Sequence, residues 1–428
     1  MYFWSKHAKS SRVNFEWFTV RRILSSEKHK GSVSAPIIKI AIAAIAAGMT
    51  IMLLSVATGV GLQQKIRQKV ESFNGAVTLV HLENQGQIED KVPWPLTEET
   101  KTLLSEVNGV AHLQGTAHKP GLILTDTDFE GIVLKGVGAD YNWDRLSEFM
   151  TQGQFIDAGG GLKNQMIISE TIAKRLGLTI GAKLNTYFLD QGNTEQISPK
   201  TRARGFTIVG IYDSGFDDFD RQMVFVDLRH IQGLNRWNSQ EIGRLEVLPS
   251  DLADIEALTR ELYDLAPVTV DAISMYASFY NIFEWLSLFD FNIYLIIVIM
   301  IIVATINMVT ALIVLILERT RMIGIFQVMG AGNWRLQKIF LLQAAYIVLW
   351  GLFWGNLLGL GLVWAQDTWQ LIQLDPKTYY VHSAPVSLPI EAWGLLNLST
   401  FILCLLFLLI PSYLVAQISP VRALRFDG

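Results

Sequence analysis

The sequence predicts an α-helical membrane protein with four transmembrane helices and a large mixed α/β domain inserted between the first and the second. Three observations lead there. Half of the 428 residues are apolar and mean hydropathy is +0.31, above the range of ordinary soluble domains. Charged residues make up only 17% of the chain and crowd into one central stretch. Around that stretch lie four apolar runs, each long enough to cross a hydrocarbon core of about 30 Å.

Residues 1–36 carry seven Lys or Arg against Glu16 and Glu27, which places them in the cytoplasm by the positive-inside rule. Phe15, Trp17, Phe18, Arg22 and Leu24 there suggest a short amphipathic helix on the inner membrane face. Residues 37–60 form the first span, interrupted only by Lys39 at its edge. No small-residue cleavage site follows, so the run reads as an uncleaved signal anchor. Residues 61–281 are then exported.

This exported stretch holds 30 acidic and 20 basic residues, so it is negative while the rest of the chain is positive. Strands are expected at Ala76–Leu82, within Gly121–Val137, at Met166–Ile168, Ala182–Leu189, Phe206–Tyr212, Met223–Val226 and Arg244–Leu248. A helix is expected from Thr97 to Val107 with Thr97 as its cap, another from a Ser169 cap to a Gly177 stop, and a third over Leu252–Leu265. About 220 residues of this kind suggest two small α/β lobes.

Residues 282–317 form a long second helix, with helical character starting near Tyr276 and roughly 60 Å of length. Its charged end, with Glu284 and Asp290, is expected to project from the exported face and join domain to bilayer. Residues 318–338 are cytoplasmic, as Arg319, Arg321, Arg335 and Lys338 require. The third span covers 339–365, an exported loop 366–392, the fourth span 393–415, and a cytoplasmic tail 416–428. Small residues at Ala44 and Gly48 and at Gly351, Gly355 and Gly359 favour close helix approach.

Several chemistries are excluded. There is no phosphate-binding G-x-x-x-x-G-K-[ST], and Gly159 to Lys163 lacks its spacing, so no ATP hydrolysis by this chain is expected. Zinc-protease and serine-hydrolase motifs are absent too, and His81, His112, His118 and His230 have no ligand spacing. Cys404 is the only cysteine, which rules out an intramolecular disulfide and a Cys-based zinc site. No basic excess marks a nucleic-acid binder. Asp213, Asp217, Asp218 and Asp220 lack a Ca²⁺-loop spacing and read as a solvated acidic turn. Intramembrane Thr305, Asn307 and Thr310 fit helix–helix hydrogen bonding, and acid–base pairs of an ion-coupled carrier are missing.

The segment from Glu318 to Gly332 puts Met322, Ile325, Phe326 and Met329 on one helical face beside arginines, a face that needs a protein groove or a membrane surface. Here the chain resembles the FtsX-like permeases of the MacB type, and within them the LolC/LolE group for lipoprotein release. Their coupling-helix pattern E-R-x-R-x-I-G-x-x-x-x-x-G-A matches at Glu318, Arg319, Arg321, Ile323, Gly324, Gly330 and Ala331. The tail is similar to their P-x-x-A-L-R ending at Pro420, Ala423, Leu424 and Arg425, with Phe426 and Asp427 in place of the usual aromatic-Glu close. Pro36, Ile37 and the stretch Gln165–Gly181 carry the likeness further.

The resemblance implies a MacB-like fold with a porter lobe interrupted by an inserted lobe. It implies a non-catalytic permease subunit whose energy comes from two copies of a separate ABC ATPase, which binds ATP and Mg; no cofactor is expected in this chain. A second permease copy or paralogue would complete the cavity. The substrate would be a lipoprotein leaving the outer leaflet of the bacterial inner membrane for a periplasmic chaperone. The coupling site would be Glu318, Arg319, Arg321, Met322, Ile323, Gly324, Ile325, Phe326, Met329 and Gly330. Met49, Met52, Leu53, Tyr280, Phe283, Phe289 and Asn307 would line the substrate cavity, within an aromatic collar that also includes Tyr276, Phe279, Trp285 and Phe291. Pro199, Lys200, Arg202 and Arg204, in a loop from Asp190 to Gly205, would correspond to the LolC hook that recruits the chaperone; read by itself, the loop is equally a solvated hairpin. Two other roles remain open: an FtsX-like mechanotransmitter acting on a cell-wall hydrolase, and MacB-like efflux of peptides or small molecules.

Overall fold

The computed structural model describes residues 34–125, 128–188, 202–250 and 253–412. The longer helices are α1 (Ser34–Asn74), α2 (Glu98–Ser105), α3 (Glu170–Leu176), α4 (Leu228–Asn235), α5 (Ile255–Leu265), α6 (Tyr280–Glu318), α7 (Thr320–Val328), α8 (Asn333–Trp369) and α9 (Ile390–Ser412). Two compact units divide the chain: a helical one made of the residues up to Leu62, Ser287–Ile372 and those from Pro385 on, and an α/β one made of Gln63–Leu286 with Gln373–Ala384.

Among the described residues, α1, α6, α8 and α9 are long and apolar enough to cross a membrane. Within the helical unit α1 packs on α8 through the small residues of α8. A Cβ on Gly351 would fall 2.6 Å from Ile45 Cβ, one on Gly355 2.6 Å from Met49 Cβ, and one on Gly359 2.7 Å from Leu53 Cδ1. Absent side chains let the helices approach closely, and dispersion contacts replace a hydrophobic driving force that lipid cannot supply. On another side of α1, Gly59 receives Ile293 of α6. Helices α8 and α9 are joined by a polar cluster: Asn356 Nδ2 donates to Asn397 Oδ1 (2.6 Å), and Trp393 Nε1 donates to Asn356 Oδ1 (2.7 Å). Thr310, expected to bond between helices, instead donates to Ile306 O of its own helix (3.0 Å).

Helix α1 does not end near Val60, where the sequence marks the edge of an aqueous domain; it continues to Asn74. Ile66, Val70 and Phe73 recur at helical spacing and are fully buried in the α/β unit, so an amphipathic stripe takes over where the uniformly apolar run stops. Gly75 then ends the helix with φ +70°, a conformation that costs glycine little.

The α/β unit is built on strands β1 (Val77–His81), β2 (Trp94–Pro95), β3 (Val110–Leu124), β4 (Phe129–Val137), β5 (Met150–Gly153), β6 (Gln165–Ser169), β7 (Lys183–Phe188), β8 (Arg202–Tyr212), β9 (Met223–Asp227), β10 (Glu241–Ile242), β11 (Arg244–Pro249) and β12 (Val270–Ser274). One hydrogen-bonded sheet runs β12-β1-β11-β3-β4-β9-β6-β8-β5, with β7 pairing β3 and β8, and β2 pairs β10 in a separate two-stranded sheet. Most pairs are antiparallel; β4–β9 and β6–β8 are parallel. Local signals set the helix ends: Thr97 caps α2 through the Thr100 N–H (3.2 Å), Ser169 caps α3 through the Ile172 N–H (3.1 Å), and Gly177 stops α3 at φ +62°. The unread strand β12 lies at the sheet edge against β1.

Phe73 stacks on Phe219 at 4.9 Å and meets Phe149, Tyr212 and Phe225, forming the aromatic centre of this unit. Beside it Lys135 and Glu246, both fully buried, form an ion pair at 2.5 Å. Lys135 Nζ also donates to the Phe73 carbonyl at the end of α1. Glu246 accepts further bonds from Gln114 Nε2 (2.9 Å) and Thr116 Oγ1 (3.2 Å).

Candidate functional site

Helix α6 gives way to α7 at Arg319, whose backbone (φ −101°, ψ 11°) leaves helical geometry. After α7, Gly330 at φ +89° turns the chain into α8. The sequence-predicted coupling residues therefore sit on a short helix of their own, between two membrane helices. They do not share one face. Ile323 and Gly324 are buried and Phe326 packs against the core of the helical unit, whereas Ile325, Val328 and Met329 are 47%, 67% and 77% exposed. Met322 is half-buried between them, and Glu318 and Arg321 are exposed. The outward apolar patch is thus Ile325, Val328 and Met329, with Phe326 turned inward and Val328 added. Helical spacing revealed the stripe; which edge of it faces α6 and α8 depends on the break at Arg319.

The expected substrate-cavity residues separate. Met49, Met52 and Leu53 are at most 1% exposed and belong to the core of the helical unit, where Met49 and Leu53 fill the glycine notches of α8. Phe289 and Asn307 are half-buried in the same unit. Tyr280 and Phe283 belong to the α/β unit, Tyr280 being 60% exposed and Phe283 lying edge-on to Tyr276 at 4.8 Å. Tyr276 in turn is engaged by Arg67 through its hydroxyl and across its ring, Phe279 meets Phe219, and Trp285 meets Tyr380. Much of the supposed aromatic collar is internal packing of the α/β unit.

Of the hook residues, Pro199 and Lys200 lie outside the described residues. Arg202 and Arg204 stand not on a loop but in β8, which pairs antiparallel with β7. Arg202 donates to the Leu234 carbonyl (2.5 Å), and Arg204 Nη1 lies 3.4 Å from His230 Nδ1, so both are directed toward α4. The N-terminal amphipathic segment and the tail with Pro420, Ala423, Leu424 and Arg425 also lie outside the described residues.

The acidic cluster is not a solvated turn throughout. Asp217 pairs with Arg221 (2.6 Å) at the surface, but Asp220 is buried. Its carboxylate accepts from the Ser214 N–H (3.1 Å), the Ser214 hydroxyl (2.7 Å) and the Phe216 N–H (3.2 Å). Burial pushes its pKa up to about 6, against the opposing pull of the Ser214 hydrogen bonds. Lys69 near the end of α1 donates to the Ser214 carbonyl and to the Tyr380 carbonyl (2.8 Å). Tyr380 stacks on Phe216 at 4.6 Å, and His382 Nε2 lies 3.7 Å from Asp213 Oδ2. Residues Gln373–Ala384 are thereby part of the α/β unit although they fall between α8 and α9 in sequence. No sequence signal identified this docking. Among the described residues, no group of three or more His, Cys, Asp or Glu could hold a metal ion.

Residues 294–420 match the family described as FtsX-like permease C-terminal, and residues 40–265, more than half of the chain, match the MacB-like periplasmic core domain. The chain belongs to the FtsX/MacB-type permease family. In this ABC permease family, the MacB-like periplasmic domain, inserted between the first and second membrane helices, makes up most of the α/β unit. The permease is similar to the lipoprotein-releasing system transmembrane protein LolC of Xylella fastidiosa (strain Temecula1), 21% identical over 95% of this chain and 97% of that one. To LolC of Neisseria meningitidis serogroup B it is 22% identical over 95% of this chain and 98% of the relative. Among solved structures, the extracellular domain of the transporter YknZ from Gram-positive bacteria covers 46% of this permease and 99% of that domain, at 15% identity and TM-score 0.32. The periplasmic region of MacB from Actinobacillus actinomycetemcomitans covers 46% of this permease and 88% of that region, at 13% identity and TM-score 0.32.

Proposed function

We propose that this permease extracts lipoproteins from the outer leaflet of the bacterial inner membrane and passes them to a periplasmic chaperone. The likeness to LolC along nearly the whole chain carries this reading. Two ATPase subunits, binding ATP and Mg, would dock on α7, whose exposed Ile325, Val328 and Met329 offer the apolar contact. The chain's own α1 and α6 touch at Gly59 and Ile293, so the acyl chains are received between two permease copies, or a copy and a paralogue, and not within one chain. Each acyl methylene leaving the bilayer costs about 0.8 kcal/mol, which makes an external energy source necessary.

Depletion of the permease in cells should leave newly made triacylated lipoproteins in the inner-membrane fraction, and spheroplasts given purified chaperone should fail to release them. Normal release on depletion would sink the proposal. Wall-hydrolase activity that falls while release stays normal would assign the mechanotransmitter role, and loss of peptide or small-molecule efflux alone would assign the MacB-like one.

A further inference from the structure

Helices α8 and α9 are tied by the Asn356, Asn397 and Trp393 side chains. Between them opens a groove of about 530 Å³, lined by Leu342 and Ala345 of α8 and Leu405, Leu406 and Leu409 of α9, with Lys338 at its mouth. Leu342, Leu406 and Leu409 are 37%, 53% and 43% exposed. Ala345 has the shortest side chain of the lining. From Lys338 to Ala345 the groove follows two helical turns, about 10 Å, along two helices apolar enough to cross a membrane.

The charge at the mouth says what fits. Lys338 lies 5.5 Å from the centroid of the exposed Trp334 ring, and no carboxylate pairs with it among the described residues. Arg335 is exposed one turn before it on the same helix. A lysine at the end of an apolar span lifts its ammonium to the headgroup level, an interfacial tryptophan settles at that same depth, and basic pockets between helices on the cytoplasmic side suit anionic headgroups. The excess of Arg and Lys around α7 puts this end of α8 at the cytoplasmic face.

We propose that the groove is a binding site for an anionic glycerophospholipid of the cytoplasmic leaflet, with one acyl chain along Leu342, Ala345 and Leu406 and the phosphate held by Lys338 and Arg335. The site rests on the membrane-spanning architecture and not on lipoprotein release, whose substrate enters from the opposite leaflet.

The test uses the full permease, purified with its partner subunits and reconstituted with equal amounts of phosphatidylglycerol and phosphatidylcholine, with retained lipid read by native mass spectrometry. Wild type should retain phosphatidylglycerol over phosphatidylcholine by roughly 30-fold, the combined advantage of two cations at a headgroup. Lys338→Gln should lower that ratio to roughly fivefold, the share left to Arg335, and Ala345→Trp should remove the retained lipid of either kind. An unchanged ratio in Lys338→Gln overturns the proposal, and this exposed substitution remains decisive if Ala345→Trp fails to fold. A disulfide-linked dimer formed through Leu406→Cys, with Cys404→Ala to remove the native thiol, would put a second copy in the groove and overturn it as well.

Discussion

Lys135 has its ammonium enclosed by Glu246, the Phe73 carbonyl and the face of Tyr141, with no water-exposed surface. Burial lowers its pKa against the pull of Glu246, so the pair persists because each charge compensates the other. Lys135→Met should destabilise the α/β unit by about 3–5 kcal/mol, the cost of stranding a buried partner charge. Thermal unfolding of the purified permease measures it, and adding Glu246→Gln should recover part of the loss. Asp220 responds to pH with a definite sign. Its folded-state pKa of about 6 lies above the 3.8 of an ordinary aspartate, so the folded state holds the extra proton. That contribution is complete below pH 3.8 and lost as pH rises through 6. Asp220→Asn should therefore flatten the stability change across this window, and an unchanged slope would remove Asp220 as its source. Neither environment was legible in sequence: Asp220 reads as one of four neighbouring acids, and Ser169, whose hydroxyl donates to its backbone carbonyl, lies far from it along the chain.

Elements were legible where their signals are local. Ser169 and Gly177 mark both ends of α3, Thr97 starts α2, and the alternating runs give most strands within a few residues. Extensions were not. Helix α1 outlasts its apolar run by 14 residues because its stripe changes from uniform to amphipathic, and β12, with Asp271 and Ser274 among its residues, lacks the apolar run that marks β6 and β9. The small residues of α8 were visible as a pattern, but their partners in α1 were not, since spacing does not name the opposing helix. Gly355 tests that pairing. Gly355→Leu must displace Met49, whose Cβ would lie 2.6 Å from even an added methyl. It should lower the melting temperature of the permease and reduce its yield in membranes, while Gly361→Leu on the same helix, with open space around it, should do neither. Equal effects from the two would refute the close α1–α8 contact.

For the whole molecule, the four spans and the inserted domain follow from hydropathy and charge alone, because the bilayer imposes lengths that a sequence must show. The family follows from the pattern at Glu318–Ala331, but the orientation of that pattern does not, and Phe326 proves to support the helix rather than present it. If α7 is the docking element for the ATPase, Ile325→Glu with Met329→Glu should lower ATPase copurification by at least roughly 30-fold, as loss of a hot spot does, without changing the melting temperature. Undiminished copurification would exclude this surface.

Loops between membrane helices are the usual places to insert an epitope tag or a protease site. The Gln373–Ala384 segment is a poor choice. Its backbone is held by Lys69 at the Tyr380 carbonyl, its ring at Tyr380 is sandwiched against Phe216 and Trp285, and its ends are closed by the bridge between Gln373 and Ser383. A tag inserted beside Tyr380 would tear out a piece of the folded domain, so a topology reporter placed there would register damage before it registered sidedness.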